Sequence, residues 1–416
     1  MTERLLYFDP EIGGHHPIHL RSLLEGWQDL GSGELIVSLH PDFPETHPGI
    51  WREIQALSLP GVEIDFFRRE EIRDLSSGGL VRQSFRLWKV LQDTLRVHRP
   101  RVCFVNMLDL LILPLALGLK PGADAQIAGT LFRPTLHYHR FRLEGNLSPG
   151  ERIRRFQKKV LLRRALRNPA LKAVFSLDPY AVDSIQRLTR EDKARFLPEP
   201  FLHPGEPDGE SLWRTIEMEP GRTGFLVFGV LSRRKGIFRV LEAVDCLSED
   251  LSRQTAVIFA GKIDPAIRGD FLRKVKDTQQ RSRARIAVED AFLSNAQAAS
   301  LFAGSDVILG MYERSFVGSS GLLIWAASAR KPLLVSSYGM IGKLVSDRKF
   351  GSTADPENPE EIAAAMAQYI QGHPPGIDQA AMAAYARENT AKGFAEAILQ
   401  RVLDGYHPDD DGARQR

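Results

Sequence analysis

A run of three basic residues in a short turn is the part of this chain best suited to hold an anion. An apolar stretch at 225–229 reads as a strand, and the turn after it carries Arg233, Arg234 and Lys235 before a helix with apolar residues at helical spacing. Arginine and lysine neutralise a phosphate, and glycine lets the backbone approach it closely. The turn therefore predicts an anion site at the carboxyl end of a strand, the edge where open α/β sheets bind ligands. The alternative is a basic turn that contacts only water.

A glycine pair near the amino terminus is the second candidate loop. Gly13 and Gly14 follow an apolar strand at 5–8, and they would let the backbone come close to a ligand. His15, His16 and His19 come next and could bind a metal in principle. No cluster of carboxylates accompanies them, so we expect structural histidines and no metal site.

These loops belong to an alternation of strands and helices that runs along the whole chain. The first series has predicted strands at 5–8, 35–39, 102–105, 126–131 and 173–176, and the second has them at 225–229, 255–260, 285–288, 306–309 and 332–335. Helices are predicted between them, for example at 19–30 and 84–98. Parallel sheets covered by helices give this pattern, so we predict an α/β fold with two Rossmann-like domains.

The chain length and one segment of linker-like composition suggest where these domains divide. A chain of 416 residues exceeds the size at which one core stops growing. The segment 203–222 is rich in proline, glycine and glutamate and is the predicted linker between an amino-terminal domain, 1–202, and a second domain, 223–385. We expect a helix at 386–405 to pack back on the first domain and the tail 406–416 to be disordered.

The composition narrows the class of protein. Charged residues make up 26% of the chain and the net charge is only +3, which argues against a nucleic-acid partner. Cys103 and Cys246 are too few for a disulfide framework or a zinc site. No apolar run is long enough to span a bilayer, and the amino terminus does not read as a signal peptide. We therefore expect a cytoplasmic protein.

Several short motifs stand in a fixed order in the second half of the chain. They are Gly229-Val230-Leu231 through Lys235-Gly236, Ala260-Gly261, Ser305-Asp306-Val307, Gly318-Ser319-Ser320-Gly321, and Ala326 through Lys331-Pro332-Leu333. In this order they resemble the retaining, nucleotide-sugar-dependent glycosyltransferases of the GT-B fold, the glycosyltransferase family four type that is grouped with glycogen synthase.

The resemblance implies two Rossmann-like domains that face a cleft, and sugar transfer from a nucleotide-sugar donor to a glycan or lipid-linked acceptor with retained configuration. It implies no metal and no cofactor, since the nucleotide-sugar is a substrate. Lys235 and Arg234 would stabilise charge on the leaving diphosphate. His137 would replace the family's cleft histidine, unless it is only a surface-loop residue. The implied donor-binding residues are Gly13, Gly14, Gly229, Arg233, Glu313, Gly318, Ser319, Ser320 and Gly321.

The chain departs from the family where two glutamates are usual. The matching places hold Val317 and Trp325, and Glu313 is the nearest carboxylate. The family arginine beside the first glycine is replaced by Val230, so another cation of the basic turn would have to supply its charge. Two functions therefore remain open: an active glycosyltransferase, or a catalytically degenerate GT-B protein that binds a nucleotide or a partner transferase without turnover.

The turn from Gly318 to Gly321 is predicted to open a helix that runs to Ala329. Backbone N–H groups at Ser319, Ser320 and Gly321 would then add partial positive charge to a phosphate site. Serine also caps helices without any ligand. The turn therefore predicts either a helix cap alone or a cap combined with a phosphate site.

A basic segment at 151–167 is the last feature of interest, with eight arginines and lysines. The apolar positions that can share one helical face are Ile153, Phe156, Val160, Leu161 and Leu166. A basic amphipathic helix can lie on an anionic membrane, which would make the protein peripheral on the inner face of a membrane. The alternatives are a helix packed on its own sheet with a solvated basic face, or an RNA-binding patch, for which aromatic residues are few.

Overall fold

The computed structural model describes residues 4–31, 33–122, 124–132, 134, 136, 149–189, 191–201, 221–316 and 318–403. Contacts between these residues divide them into two compact units. The first unit contains the described residues up to 136, together with 149–201 and 389–403. The second unit contains the described residues of 221–388.

The first unit is built on a seven-stranded parallel sheet. Its strands are β1 (Arg4–Asp9), β2 (Glu34–Leu39), β3 (Val62–Phe66), β4 (Val102–Val105), β5 (Gln126–Thr130), β6 (Leu171–Ser176) and β7 (Ala194–Phe196). They lie in the order β3-β2-β1-β4-β5-β6-β7. The strand order therefore reverses between β1 and β4, and such a switch point is where open α/β sheets bind ligands.

The second unit has a six-stranded parallel sheet of the same kind. Its strands are β8 (Thr223–Phe228), β9 (Thr255–Ala260), β10 (Arg285–Glu289), β11 (Val307–Gly310), β12 (Leu333–Ser336) and β13 (Gly351–Ala354). They lie in the order β10-β9-β8-β11-β12-β13. The switch point of this sheet is between β8 and β11, the strands that precede the basic turn and the segment with Glu313.

Helices connect the strands and cover both faces of each sheet. They are α1 (His16–Leu30), α2 (Phe43–Thr46), α3 (Pro48–Ala56), α4 (Arg69–Ile72), α5 (Leu80–His98), α6 (Ile112–Ala116), α7 (Pro149–Leu166), α8 (Pro179–Gln186), α9 (Ile237–Asp245), α10 (Glu249–Arg253), α11 (Arg268–Arg281), α12 (Asn295–Gly304), α13 (Leu322–Ser328), α14 (Gly339–Arg348), α15 (Pro359–Ile370), α16 (Gln379–Glu388) and α17 (Ala391–Val402). In β1, Leu6 and Phe8 pack towards α5 and α7, whereas Leu5 and Tyr7 pack towards α1 and α17. Alternate side chains of a strand point to opposite faces, so a strand covered on both faces reads as a continuous apolar run.

The α/β fold with two Rossmann-like domains, predicted from this alternation, is confirmed. All ten predicted strands are present, and their ends differ from the predicted ones by at most two residues. Three strands were not predicted, and each is an edge strand: β3, β7 and β13. β3 carries Glu63 and Asp65, and β7 has only three residues, so neither shows the apolar run of a central strand.

The segment 386–405 contains α17, which packs against α1 within the first unit. The two helices approach closely, because a Cβ at Gly26 of α1 would overlap the Cβ of Ala395. The predicted linker lies outside the described residues as far as residue 220, and so does the predicted tail from 406. The proposed domain boundaries stay predictions.

Candidate functional site

The loop after β8 is held against the segment after β11. Gly229 has φ +96° and Gly236 has φ +67°, and the turn Arg233–Lys235 lies between them. A Cβ at Gly236 would overlap the carbonyl oxygen of Met311. The backbone N–H of Glu313 donates to the carbonyl oxygen of Arg234 at 3.0 Å. Glycine at 236 is therefore required both by its backbone conformation and by this close approach.

Lys235 lies at the centre of a polar cluster in this edge of the second sheet. Its Nζ donates to the carbonyl oxygen of Phe228, and to the Tyr312 hydroxyl at 3.2 Å. The Tyr312 hydroxyl is in turn 2.8 Å from Oγ of Ser320. The cluster joins three predicted pieces of the site: the basic turn, the segment after β11 and the glycine-serine turn.

The two arginines of the basic turn take different directions. The Arg234 guanidinium lies over the ring of Phe316, 4.6 Å from its centroid, and also near the ring of Tyr312. Arg233 lies instead over Phe238 at 4.8 Å and within 3.6 Å of the Asp270 carboxylate. Arg234 therefore belongs with Lys235, whereas Arg233 does not share their contacts.

The Gly318–Gly321 turn opens a helix, as predicted. The helix is α13, which begins at Leu322 and ends at Ser328, with Gly321 as its N-cap and Ala329 as its C-cap. Ser320 precedes the N-cap, and its Oγ accepts the backbone N–H of Leu322 at 3.2 Å, so it satisfies one N–H of the first helical turn. A phosphate role for Ser319, Ser320 and Gly321 stays a prediction.

Glu313 is exposed and lines a cavity of about 390 Å³ beside the basic turn. Other residues that line this cavity are Arg233, Gly236, Phe238, Arg239, Glu242, Arg314, Ser315, Pro356 and Glu357. Most of these charges are paired, as Arg239 is with Glu242 at 2.7 Å and Arg314 with Glu357 at 3.3 Å. Glu313 thus shares a cavity with Arg233, not with the side chains of Lys235 and Ser320.

Trp325 stands where the resembled family has a glutamate, and it belongs to an aromatic cluster. Its ring is stacked on Phe302, with centroids 5.3 Å apart, and is tilted against Phe228 at 6.0 Å. Phe228 is the residue whose carbonyl oxygen accepts from Lys235. Packing therefore explains the tryptophan at this place. Val317, the other replaced position, lies outside the described residues.

The Gly13–Gly14 loop leaves its backbone open. Gly14 has φ +65°, and a Cβ at either glycine would meet no atom within 4 Å. The His15 side chain is about half exposed and lies 3.8 Å from Glu199. The predicted open backbone is present at the carboxyl end of β1. Its role in binding donor or acceptor stays a prediction.

A buried polar network beside this loop was not predicted. Asp9 ends β1 and Asn106 follows β4, so both lie at the switch point of the first sheet. His16 Nδ1 is 2.6 Å from an Asp9 carboxylate oxygen, and Asn106 Nδ2 donates to the other at 2.8 Å. His19 Nδ1 lies 2.9 Å from Asn106 Oδ1. In the sequence, the signal for this network is a polar residue at the carboxyl end of each of two neighbouring strands, β1 and β4.

The network sets the protonation of the two histidines in opposite directions. Because Asn106 turns its amide nitrogen to Asp9, its oxygen faces His19, whose Nδ1 must carry the proton. Burial lowers the pKa of His19 to about 3. Burial also opposes the charged form of His16, but the hydrogen bond and charge of Asp9 outweigh it and raise the pKa of His16.

Replacing His19 with asparagine should reduce the loss of stability in acid. Between its folded pKa of about 3 and its ordinary value of 6.5, His19 binds a proton only in the unfolded chain, so stability falls as the pH drops below 6.5. At about pH 5 this effect is worth roughly 2 kcal/mol. The asparagine amide can still donate to Asn106 without titrating. Urea unfolding at about pH 7.5 and about pH 5 measures the difference.

The matched control is His373→Asn, at an exposed histidine of the second unit. His16 acts in the opposite sense: its raised pKa adds stability below the unfolded value, and that stability is lost as the pH rises through the folded value. The expected outcome is therefore a smaller acid loss in His19→Asn than in wild type and in the control. Equal losses in all three proteins would contradict the assignment of a neutral His19.

His137, the predicted substitute for the family's cleft histidine, lies outside the described residues. Within the described ranges, no group of three or more histidine, cysteine, aspartate and glutamate side chains could hold a metal ion. None of the helices in that part of the chain is long and apolar enough to cross a membrane.

The predicted basic helix is α7, and its two ends differ. Ile153, Phe156 and Val160 are 59%, 67% and 37% exposed, whereas Leu162 and Leu166 are buried in the core of the first unit. The single apolar face that was predicted to include Leu166 is therefore wrong. The carboxyl-terminal turns pack on the unit, and the preceding turns present apolar and basic residues to solvent.

Comparisons with known proteins find one matching family model and many similar structures. Residues 214–389 match the family model for glycosyl transferases group 1, and the match contains Lys235, Tyr312 and Ser320. A comparison with curated protein sequences finds no significant match.

Similar solved structures cover almost the whole chain. HepE of Anabaena, in complex with UDP and glucose, is 15% identical with a TM-score of 0.61, covering 96% of this chain and 99% of that one. Sucrose-phosphate synthase of Thermosynechococcus elongatus is 14% identical with a TM-score of 0.63, over 97% and 95%. The UDP-forming α,α-trehalose-phosphate synthase of Burkholderia vietnamiensis is 12% identical with a TM-score of 0.64, over 96% and 99%. Residues 214–389 thus match the group 1 glycosyl transferases, and the chain has the GT-B fold of these structures, which together indicate a glycosyltransferase.

Proposed function

We propose that this glycosyltransferase transfers a sugar from a nucleoside diphosphate donor to a glycan or lipid-linked acceptor, with retention and without a metal or cofactor. The observation that carries the proposal is the meeting of Lys235, Arg234 and Ser320 around Tyr312, at the switch point of the family-matched unit. Two cations and a hydroxyl at the carboxyl ends of the central strands would suit a diphosphate, which supports this proposal. UDP is the first nucleotide to test, because the HepE structure contains it.

The chemistry needs the diphosphate to leave with the electron pair of its bond to the anomeric carbon. Lys235 and Arg234 would stabilise the negative charge that develops on it, which is the usual source of the largest catalytic effect. The departing phosphate oxygen can take the proton of the acceptor hydroxyl on the same face of the sugar. No protein nucleophile is then required, and the anomeric configuration is retained.

Nucleotide binding followed by turnover tests this function. Thermal shift and calorimetry with UDP, GDP and ADP should show one preferred nucleoside diphosphate, and the matching nucleotide-sugars should then be hydrolysed slowly without an acceptor. NMR of the released or transferred sugar reports the anomeric configuration. Activity that persists in a chelator supports the metal-independent mechanism, and activity restored only by a divalent cation contradicts it.

The aromatic surroundings of Trp325 favour a second candidate function. A tryptophan packed on Phe302 and Phe228 offers no carboxylate to a sugar hydroxyl. A degenerate GT-B protein would bind a nucleotide, or a partner transferase, without turnover. Tight nucleotide binding with no hydrolysis or transfer of any sugar would favour this alternative.

We also propose that α7 places the protein at the cytoplasmic face of an anionic membrane, where a lipid-linked acceptor would lie. Ile153 and Phe156 are more than half exposed and lie three positions apart on one helical face. Arg152, Arg154, Lys158 and Lys159 are exposed along the same stretch. Apolar residues flanked by cations suit the boundary between headgroups and acyl chains.

Changing Arg152, Arg154, Lys158 and Lys159 to glutamine should weaken binding to phosphatidylglycerol vesicles by about 4 kcal/mol at low salt, at roughly 1 kcal/mol per cation. The difference should shrink as salt rises, because the Debye length falls to about 8 Å at physiological ionic strength. Co-sedimentation with vesicles measures it.

The control for this charge change is a variant with the same loss of four positive charges in the second unit. Its substitutions to glutamine are at Arg253, Arg273, Lys276 and Arg281, all of which are exposed. This variant should bind vesicles almost as wild type does. If wild type and the α7 variant co-sediment equally with the vesicles, the basic residues of α7 contact water and do not bind the membrane.

A further inference from the structure

Tyr312 connects two residues of the candidate donor site that belong to different loops. It is only 3% exposed, and its ring is stacked on Phe316 with centroids 4.3 Å apart. Its hydroxyl is 3.2 Å from Nζ of Lys235 and 2.8 Å from Oγ of Ser320. The packed ring therefore holds one hydroxyl between a cation and a second hydroxyl.

Lys235 fixes the direction of one of these hydrogen bonds. An ammonium group can only donate, so the Tyr312 oxygen accepts from Lys235. Either hydroxyl can donate in the contact between Tyr312 and Ser320, but the phenol is the more acidic of the two and the hydrogen bond from Lys235 polarises it further, which favours Tyr312 as the donor. Ser320 Oγ then accepts from Tyr312 and from the backbone N–H of Leu322 at 3.2 Å, and its own proton is available to a ligand.

Lys235 is left in a similar state. Two of its three N–H groups donate to the Phe228 carbonyl oxygen and to Tyr312. With Tyr312 as the donor to Ser320, neither the third N–H of Lys235 nor the Ser320 proton meets an acceptor in the part of the chain that the structure describes. Ser320 is buried, with 8% of the residue exposed. Each residue thus keeps one donor for a ligand.

We propose that Tyr312 is a positioning residue, which fixes Lys235 and Ser320 so that both donate to one phosphate group of the donor nucleotide. The inference rests on the proposed function and deepens it, because it names the residue that sets the direction of both donors. Hydrogen bonds to a charged phosphate are stronger than those between neutral groups. Two aligned donors from separate loops would therefore select a diphosphate over an uncharged ligand.

The test removes the Tyr312 hydroxyl and keeps the ring. Tyr312→Phe preserves the stacking on Phe316, but it lets the Ser320 hydroxyl rotate and takes one acceptor from Lys235. We expect the Kd for UDP, measured by calorimetry on the full chain, to rise about tenfold, which corresponds to about 1.4 kcal/mol. A larger fall in kcat than in apparent affinity would show that the alignment matters most as charge develops.

Tyr369→Phe is the matched control in the same unit. Tyr369 is also a buried tyrosine, and its hydroxyl has two partners, Ser352 at 3.0 Å and the Leu333 carbonyl oxygen at 3.2 Å. Loss of the Tyr369 hydroxyl should lower the melting temperature about as much as Tyr312→Phe does, without changing the Kd for UDP. A Kd for Tyr312→Phe equal to that of the control would overturn the positioning role.

A double-mutant cycle tests whether Tyr312 acts through Ser320. Ser320→Ala and Tyr312→Phe should each weaken UDP binding, and the double variant should lose clearly less than the sum of the two. Additive losses would overturn the proposal, because independent contacts add. If wild type binds none of UDP, GDP and ADP, the proposed function itself fails, an outcome distinct from wild-type binding that Tyr312→Phe leaves unchanged.

Discussion

Replacing Lys235 with methionine is expected to lower the rate of sugar transfer about a hundredfold, with the fold retained. Methionine fills a similar space but cannot offer positive charge to a leaving diphosphate. The side chain is half-buried and bonded to Phe228 and Tyr312, so we also expect a stability loss of about 1 to 2 kcal/mol. Steady-state rates at saturating donor, together with melting temperatures, measure the two effects separately.

Lys343→Met is the control for this change. Lys343 lies in α14 of the same unit, is also half-buried, and is paired with Asp347 at 2.8 Å. It should lose a similar amount of stability and almost no activity. Transfer by Lys235→Met within a few-fold of wild type would remove Lys235 from the mechanism.

Replacing Gly236 with alanine is expected to have the largest effect on folding and binding together. The left-handed backbone at φ +67° disfavours any side chain, and the new Cβ would overlap the Met311 carbonyl oxygen. The turn must then move away from the segment after β11, which breaks the bond between Glu313 and Arg234 and draws Lys235 from Tyr312. We expect a loss of about 3 kcal/mol or more in the free energy of unfolding, and at least tenfold weaker UDP binding.

Gly372→Ala separates the effect of the left-handed backbone from the effect of the overlap with Met311. Gly372 has a similar φ of +74°, but a Cβ there would meet no atom within 4 Å. This variant should lose only about 1 to 2 kcal/mol and bind UDP as wild type does. Urea unfolding and calorimetry on both variants decide the matter. If Gly236→Ala binds UDP as tightly as Gly372→Ala, the contact between the two loops is not needed for the site.

The fold could be predicted because buried parallel strands leave a plain signature. Central strands such as β1 and β9 are covered on both faces, and their sequences are almost entirely apolar. The edge strands β3 and β13 lack that signature, since one neighbour is missing and side chains there reach water. The local sequence shows whether a strand is buried on both faces. It does not show that a half-exposed segment will pair with the edge of a sheet.

The candidate site could be predicted only as far as its loops. Glycines and cations in a short turn indicated where an anion would lie, but not which cation would share partners with the serine turn. Arg233 turns to Asp270, and Tyr312, a residue without a motif, joins Lys235 to Ser320. Asp9 and Asn106 are 97 positions apart, so their contact depends on strand order and not on spacing.

The return of the chain to its first unit has a consequence for the order of folding. Phe394 and Ile398 of α17 lie in the same core as Leu20 and Leu24 of α1, yet the whole second unit is synthesised between these helices. As the chain leaves the ribosome, the first unit exposes that apolar face until residue 402 has emerged, although most of its sheet was made long before. The described residues of the second unit, 221–388, all precede α17, so this unit can close its core without waiting for that helix. The first unit is thus the first to be synthesised and the last to complete its core.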